Sequence, residues 1–253
     1  MKANWKIALM CLAAIAMVAC KDKNPAEGGG DQGGDQGGGG QSGYVAKISV
    51  KDKSVADWDA LYQAKVAKFV APENPVWDGV HMIKVYADEV YINWILVFDP
   101  VKYAKHRDVD VMHIFLNIDN NEATGGYYDL FEDACADLMF EGSLFGEPNV
   151  AINYSPSVSE WIGDPNGEGW DNWSQVAASI KGESQFVNDS TIEARIMIEN
   201  IPGKNKFAKD GFGFGATLTQ NFEPAAVGFL PQGNTPDGDL IGRANMLFVP
   251  FDK

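Results

Sequence analysis

The feature that most constrains this chain is a strict alternation of side chains in "TIEARIMIEN", residues 191–200. Successive side chains of a β-strand point to opposite faces, so a period of two predicts a strand with one buried face. The apolar residues that occupy every second position are Ile192, Ala194, Ile196 and Ile198.

Similar short apolar runs recur along the chain and predict further strands. Turn sequences such as "DPNGEG" and "TPDGD" separate them. Only residues 57–69 and 128–134 suggest helical turns, and neither has a full set of caps. The predicted strands cover residues 79–87, 89–98, 110–118, 136–142, 149–155, 213–220, 225–231 and 245–251.

Many short strands without a β-α-β rhythm predict an all-β fold. We expect a two-sheet antiparallel β-sandwich, jelly-roll-like, with short helical turns, formed by residues 44–253 as one domain. Residues 89–98 carry apolar side chains on both faces, with Trp94 on one and Ile95 on the other. A strand that is apolar on both faces is expected to lie in the middle of a sheet.

The amino terminus has the order of a secretory signal. Lys2 and Lys6 precede an apolar run at residues 7–19, which is shorter than the about 20 residues of a membrane-spanning helix. The sequence "MVAC" that ends at Cys20 resembles the lipobox of bacterial lipoproteins. That resemblance implies a signal peptide at 1–19 and acyl chains on Cys20; the alternative is an ordinary secretory signal with an incidental cysteine.

Residues 20–43 form a glycine-rich stretch that is too poor in apolar side chains to fold. We expect a flexible tether with a typical reach of roughly 25 Å. Two or more acyl chains anchor a protein stably, so the membrane is an expected partner. The charges after Cys20 resemble the export signal of Bacteroidetes surface lipoproteins, which implies an outer-membrane protein exposed at the cell surface.

Charge and cysteine content exclude several classes of interaction. The chain has 35 acidic and 20 basic residues and a formal net charge of −15. Nucleic acid should repel so acidic a protein, and we expect no nucleic-acid partner. Cys135 is the one cysteine of residues 44–253, which excludes a disulfide within that domain, and we expect it to be buried.

The stretch "NIDNNEATGG", residues 117–126, follows directly on a predicted strand. Its short polar side chains and glycines are typical of a plain turn between strands. They are also oxygen ligands of the kind that calcium prefers, which makes a structural calcium site the alternative. The candidate metal ligands are Asp119, Asn121, Asp137 and Glu141.

A cluster of aromatic residues suggests a ligand site. Trp161, Trp170 and Trp173 lie among glycines, prolines and acids, and Tyr127 and Tyr128 follow the glycine turn. Flat aromatic faces stack on the apolar faces of sugar rings, while nearby carboxylates and amides bind the hydroxyls. The alternative is that these tryptophans belong to the core.

Four segments together resemble carbohydrate-binding module family 9 and the related DOMON-like domains. The segments are "ISVKDKSVADWDAL" (48–61), "VHMIKVYADEVYINWILVFD" (80–99), "FLNIDNNEATGGYYDLFEDACADLMFEG" (115–142) and "ARIMIENIPGKNKFAKDGFGFGATLTQ" (194–220). The resemblance implies a β-sandwich that binds sugars, and some members hold calcium. Asn117 and Leu138 depart from the family pattern.

No motif of catalysis stands out. The histidines His81, His106 and His113 have no metal-ligand spacing, and no serine lies in a G-x-S-x-G elbow. The sequence therefore predicts a noncatalytic lipoprotein that captures polysaccharide or oligosaccharide at the cell surface. The alternatives are an envelope lipoprotein that contacts other proteins and binds no sugar, and a glycan-active enzyme.

Overall fold

The structure is a computed structural model that describes residues 44–73, 79–99, 110–126, 131, 135–144, 154–165, 167, 169–220, 226–232 and 244–253. The described residues form twelve strands and a few short helices, which confirms the all-β prediction. The one α-helix among them, α1, covers Ala56–Ala60. Short 3₁₀ helices cover Gln63–Lys65, Trp170–Asn172, Ile198–Asn200 and Lys204–Lys206.

The strands are short, and most of them coincide with the apolar runs of the sequence. They are β1 (Val66–Val70), β2 (Val80–Asp88), β3 (Tyr91–Phe98), β4 (Asp110–Asn117), β5 (Leu138–Gly142), β6 (Ser157–Trp161), β7 (Trp173–Ala177), β8 (Gly182–Asn188), β9 (Thr191–Met197), β10 (Gly211–Gln220), β11 (Ala226–Leu230) and β12 (Leu247–Asp252).

All twelve strands belong to one curled mixed sheet, with the order β7-β6-β5-β4-β10-β12-β2-β3-β9-β8; β1 pairs with β2 and β11 with β10. The prediction of two separate antiparallel sheets is not confirmed, because β12 joins the two halves. Its first residues pair antiparallel with β10, and Phe251 and Asp252 pair parallel with β2. The sheet is therefore a half-barrel.

The inner faces of the two halves share the main core. Trp94 of β3 contacts Tyr154 at 5.3 Å and Phe214 of β10 at 6.5 Å between ring centroids. All three rings are fully buried, and burying a large apolar side chain stabilises the fold by about 1.5–3 kcal/mol. β3 lies between β2 and β9, as its apolar residues on both faces predict.

Residues 48–61 cover the outer face of β3 and β9. Trp58 packs there on Ile95, and its Nε1 donates a hydrogen bond of 2.6 Å to Glu193 Oε1. Glu193 is thus buried, although the alternation of residues 191–200 places it on the polar face of its strand. β9 is buried on both faces because residues 48–61 pack over it, which its own sequence does not reveal.

A further apolar cluster lies on the outer face of the other half of the sheet. Phe115 of β4 and Met139 of β5 pack there with Phe131, Ala136 and Met246. Gly215 of β10 makes room for this layer, because a Cβ at that position would lie 2.5 Å from Cζ of Phe131. Cys135 is buried beside this cluster, as expected, and is not in a disulfide.

Several sequence predictions need correction or fall outside the described residues. Helical structure in 57–69 ends at Lys65, and β1 follows, because Val66 and Phe69 pair with β2. The apolar runs of the sequence did not predict β1, β6 or β8. Trp173, one of the candidate ligand residues, begins β7. Residues 149–153 and most of 128–134 lie outside the described residues. Within the described part of the chain, no helix is long and apolar enough to span a membrane.

Candidate functional site

A cleft of about 270 Å³ opens where three neighbouring strands end. The end of β4, the start of β5 and the end of β6 meet there, and the turn at 203–206 closes the fourth side. Loops that a sheet holds in place are common positions for binding residues. The lining residues include Asp119, Thr124, Asp137, Glu160, Trp161 and Lys206.

The loop after β4 holds its shape through its own side chains. Asp119 Oδ1 accepts hydrogen bonds from the Asn121 N–H at 3.0 Å and from the Thr124 hydroxyl, and Asn121 Oδ1 accepts one from the Ala123 N–H at 3.0 Å. Gly125 has φ +71° and lies against the Cys135 carbonyl, where a Cβ would approach to 2.5 Å. These are the bonds of a plain turn, one of the two alternatives left open by the sequence.

Asp137 ties this loop to the start of β5. Its Oδ2 accepts hydrogen bonds from the N–H groups of Ile118 at 2.8 Å and Asp119 at 3.5 Å. Within the described residues, Oδ1 accepts no hydrogen bond. Burial and, to a smaller extent, the Asp119 carboxylate raise the pKa of Asp137 to about 6. Asp137, a half-buried residue of the cleft lining, therefore keeps one carboxylate oxygen without a hydrogen-bond partner among the described residues.

Next to Asp137, the lining of the cleft combines an ion pair with an indole. Lys206 pairs with Glu160, and this bond raises the pKa of Lys206. Trp161 Nε1 donates a hydrogen bond of 3.0 Å to the Asp164 carbonyl. The ring lies against Gly126, where a Cβ would be only 2.5 Å from Cδ2. These contacts fix the orientation of the indole before any ligand arrives.

From Trp161 a row of five rings, here called the aromatic strip, runs across the outer face of β4. Its ring centroids lie 5.3 Å apart from Trp161 to Trp173, 6.1 Å from Trp173 to Phe115, 6.2 Å from Phe115 to His113 and 5.5 Å from His113 to Trp170. Phe115 is fully buried, whereas Trp170 is 50 % exposed. The strip thus connects the cleft with a second accessible indole.

The candidate metal ligands do not all come together. Asp119, Asn121 and Asp137 share one hydrogen-bonded loop, but Glu141 stands four residues beyond Asp137, about 13 Å along an extended strand. Glu141 instead pairs with His113, with 3.0 Å between Oε2 and Nε2. Among the described residues, no group of three or more His, Cys, Asp or Glu side chains could hold a metal ion. The calcium site stays a prediction.

The candidate aromatic residues have different surroundings. Trp170 is exposed in a 3₁₀ turn, Trp161 forms a wall of the cleft, and Trp173 packs beside the outer apolar cluster. Tyr127 and Tyr128 lie outside the described residues, as does Cys20. Trp170 and Trp161 are thus accessible, as a ligand site requires, whereas Trp173 packs against an apolar cluster, and binding stays a prediction.

The sequence did not indicate Glu160, Lys206 or the role of His113 beside Glu141. Lys206 lies in the turn "PGKNK", far from the tryptophans in sequence, and only the fold brings it to Glu160. His113 lies in β4, and its partner Glu141 follows from the register of β4 and β5. A period-two pattern gives the face of a side chain and not its neighbour across the sheet.

No protein-family model matches this chain, and the comparison with curated proteins gives no match either. The resemblance to carbohydrate-binding module family 9 and the DOMON-like domains therefore stays a prediction.

Proposed function

We propose that this protein is a noncatalytic, lipid-anchored glycan-binding protein whose binding site is the cleft beside Trp161. The observation that carries the proposal is an indole of fixed orientation beside the Asp137 carboxylate in the lining of an open cleft, where Oδ1 of Asp137 has no hydrogen-bond partner among the described residues. Sugars present apolar ring faces, on which the indole can stack, and hydroxyl groups, which can donate hydrogen bonds to the carboxylate.

The size and composition of the cleft agree with a small polar ligand. Its volume of about 270 Å³ lies just below the range of about 300–1,000 Å³ that is usual for ligand pockets, so it suits a ligand near the size of one sugar ring. Asp137 and Lys206 provide an acceptor and a donor group in its lining. The glycines at 125 and 163 keep side chains out of this space.

We also propose that the curled sheet is a jelly-roll-like β-sandwich. Its support is the shared core between the two halves of the curled sheet, in which Trp94 of β3 contacts Phe214 of β10. Such an arrangement exposes loops at the ends of the strands. The cleft lies at one of these ends, which is where a sandwich presents a binding site.

The anchoring part of the proposal rests on the sequence. Cys20 would carry the acyl chains, residues 20–43 would serve as the tether, and the protein would face outward from the outer membrane. Polysaccharide or oligosaccharide is then the expected ligand. Labelling of cells with a radioactive fatty acid tests the anchor: the wild-type protein should be labelled and Cys20→Ala should not.

The noncatalytic part of the proposal rests on the state of the carboxylates. Glycosidases place one acidic and one basic carboxyl group on either side of the scissile bond. Here Glu160 is bound by Lys206, and one oxygen of Asp137 is occupied by backbone N–H groups. Measurable turnover of any polysaccharide would contradict this part.

A glycan array with the purified full-length protein in detergent tests the function. We expect wild-type protein to bind a set of glycans and Trp161→Ala to lose at least about tenfold in affinity, because removing a central aromatic contact costs more than about 1.4 kcal/mol. Val176→Ala is the matched control, since Val176 is an exposed apolar residue of β7 that does not line the cleft. Absence of binding to every glycan would favour the protein-contact alternative.

A further inference from the structure

A second polar and aromatic group lies at the far end of the aromatic strip. The Trp170 ring is half exposed and its centroid lies 5.5 Å from that of His113. His113 Nε2 lies 3.0 Å from Glu141 Oε2. The three side chains therefore form one contiguous group outside the cleft.

The Glu141 carboxylate has capacity left for a ligand. Its side chain is 40 % exposed, and within the described residues only Oε2 has a side-chain partner, His113. This bond lowers the pKa of Glu141, so the group remains an ionised acceptor. On the other side of His113, the buried hydroxyl of Thr217 has no hydrogen-bond partner within the part of the chain that the structure describes. This group therefore combines an exposed indole and a carboxylate, the same two residue types that line the cleft.

From this arrangement we infer that Trp170, His113 and Glu141 form a second sugar subsite, and that the ligand is a glycan chain long enough to contact both subsites. This inference rests on the proposed function. Trp170 would stack on one ring of the chain, and Glu141 would accept hydrogen bonds from its hydroxyl groups.

The aromatic strip holds the two subsites at a fixed separation. Four ring-to-ring steps of 5.3 to 6.2 Å link Trp161 to Trp170, and the central ring, Phe115, is fully buried. Close packing of the central rings keeps them in place when a ligand binds. A single sugar ring stacks on one indole at a time, and a chain that reaches both gains affinity because its second contact is intramolecular.

Calorimetric titration of the full-length protein in detergent tests this inference. The ligands are the free sugars glucose, xylose and mannose and their β-1,4-linked oligomers of increasing length. We expect affinity in a series that binds to rise with length by about tenfold or more, since a second aromatic contact contributes more than about 1.4 kcal/mol. Trp170→Ala should remove this rise, so that the longer oligomers bind no more tightly than the free sugar or the shortest oligomer.

Two variants separate a subsite from a general effect of mutation. Trp170→Phe keeps an aromatic face and should retain much of the dependence on length, and Glu141→Gln should reduce it. Affinity that does not depend on length in the wild-type protein would overturn the inference while leaving the glycan function intact. A rise that persists in Trp170→Ala would also overturn it. Absence of binding in all three series would overturn the proposed function for these glycans, and the second subsite with it.

Discussion

An indole and a carboxylate belong to one group of side chains on the outer face of each half of the curled sheet, but the two groups have opposite surroundings. Trp58 and Glu193 are 1 % and 0 % exposed, and the indole N–H donates directly to the carboxylate. Trp170 is 50 % exposed and lies next to His113, which in turn pairs with Glu141. The same residue types thus form a closed contact on one face and an open group on the other.

The difference comes from what covers each face. Residues 48–61 pack over β3 and β9, so Trp58 joins a small core with Ile48, Val50 and Ile95. On the opposite half, the apolar cluster around Phe115 is buried, while Trp170 lies at its edge in a 3₁₀ turn. The Trp58 pair therefore contributes to stability, whereas the open Trp170 group is the one that we propose for recognition.

Trp58→Ala gives the largest expected effect on stability. Removing a buried tryptophan costs about 3–5 kcal/mol, and the loss of its N–H leaves a buried carboxylate without its donor. Denaturant unfolding of the full-length protein should show this decrease in the free energy of unfolding. A decrease below about 1 kcal/mol would contradict the assignment of Trp58 to a closed core.

Glu193→Gln tests the comparison through the pH dependence of the free energy of unfolding. Burial, together with the Asp57 and Asp52 carboxylates, raises the pKa of Glu193 from 4.5 to about 7. The folded state therefore favours the protonated form, and the stability associated with that form is lost as pH rises from about 4.5 to about 7. The wild-type protein should lose up to about 3 kcal/mol over this range relative to Glu193→Gln.

The measurement for this prediction is the free energy of unfolding at several pH values. Glu122→Gln, which removes an exposed carboxylate from the loop after β4, is the control and should follow the wild type. Asp137 also has a raised pKa and titrates in both proteins, so the comparison rests on the difference between them. Parallel curves for wild type and Glu193→Gln would contradict a buried, weakly acidic Glu193.

These two faces also show what the sequence can and cannot predict. Alternation in residues 191–200 correctly predicts β9 as far as Met197 and its inner face of Ile192, Ala194 and Ile196, whereas Ile198–Asn200 form a 3₁₀ helix. It does not predict the burial of Glu193, because the cover comes from a segment more than a hundred residues away. Strand propensity and hydrophobic periodicity are local properties of a sequence, whereas the packing of another segment over a strand depends on the tertiary structure.

The candidate site was predictable to a similar extent. The short polar residues of 117–126 indicate a turn, and the clustered tryptophans indicate an aromatic surface. The partners of these residues were not predictable, since Lys206 and Glu160 meet only through the fold, and Glu141 faces His113 through the β4–β5 register. The joining of the two halves by β12 likewise depends on two residue pairs at the chain end.

Trp170→Ala gives the smallest expected effect on stability. A half-exposed side chain loses little buried area on truncation, so we expect a decrease of at most about 1 kcal/mol in the free energy of unfolding. Denaturant unfolding measured beside Trp58→Ala gives the contrast directly. Equal losses for the two variants would remove the distinction between a closed and an open indole.

The most direct test of the account follows the tryptophan side chains during glycan binding. Indole N–H signals in nuclear magnetic resonance spectra can be assigned with single Trp→Phe substitutions and then followed while a glycan from the array is added. The account predicts that the signals of Trp161 and Trp170 shift, whereas those of the buried Trp58 and Trp94 stay in place. Saturating glycan that leaves Trp161 and Trp170 unchanged would contradict the account.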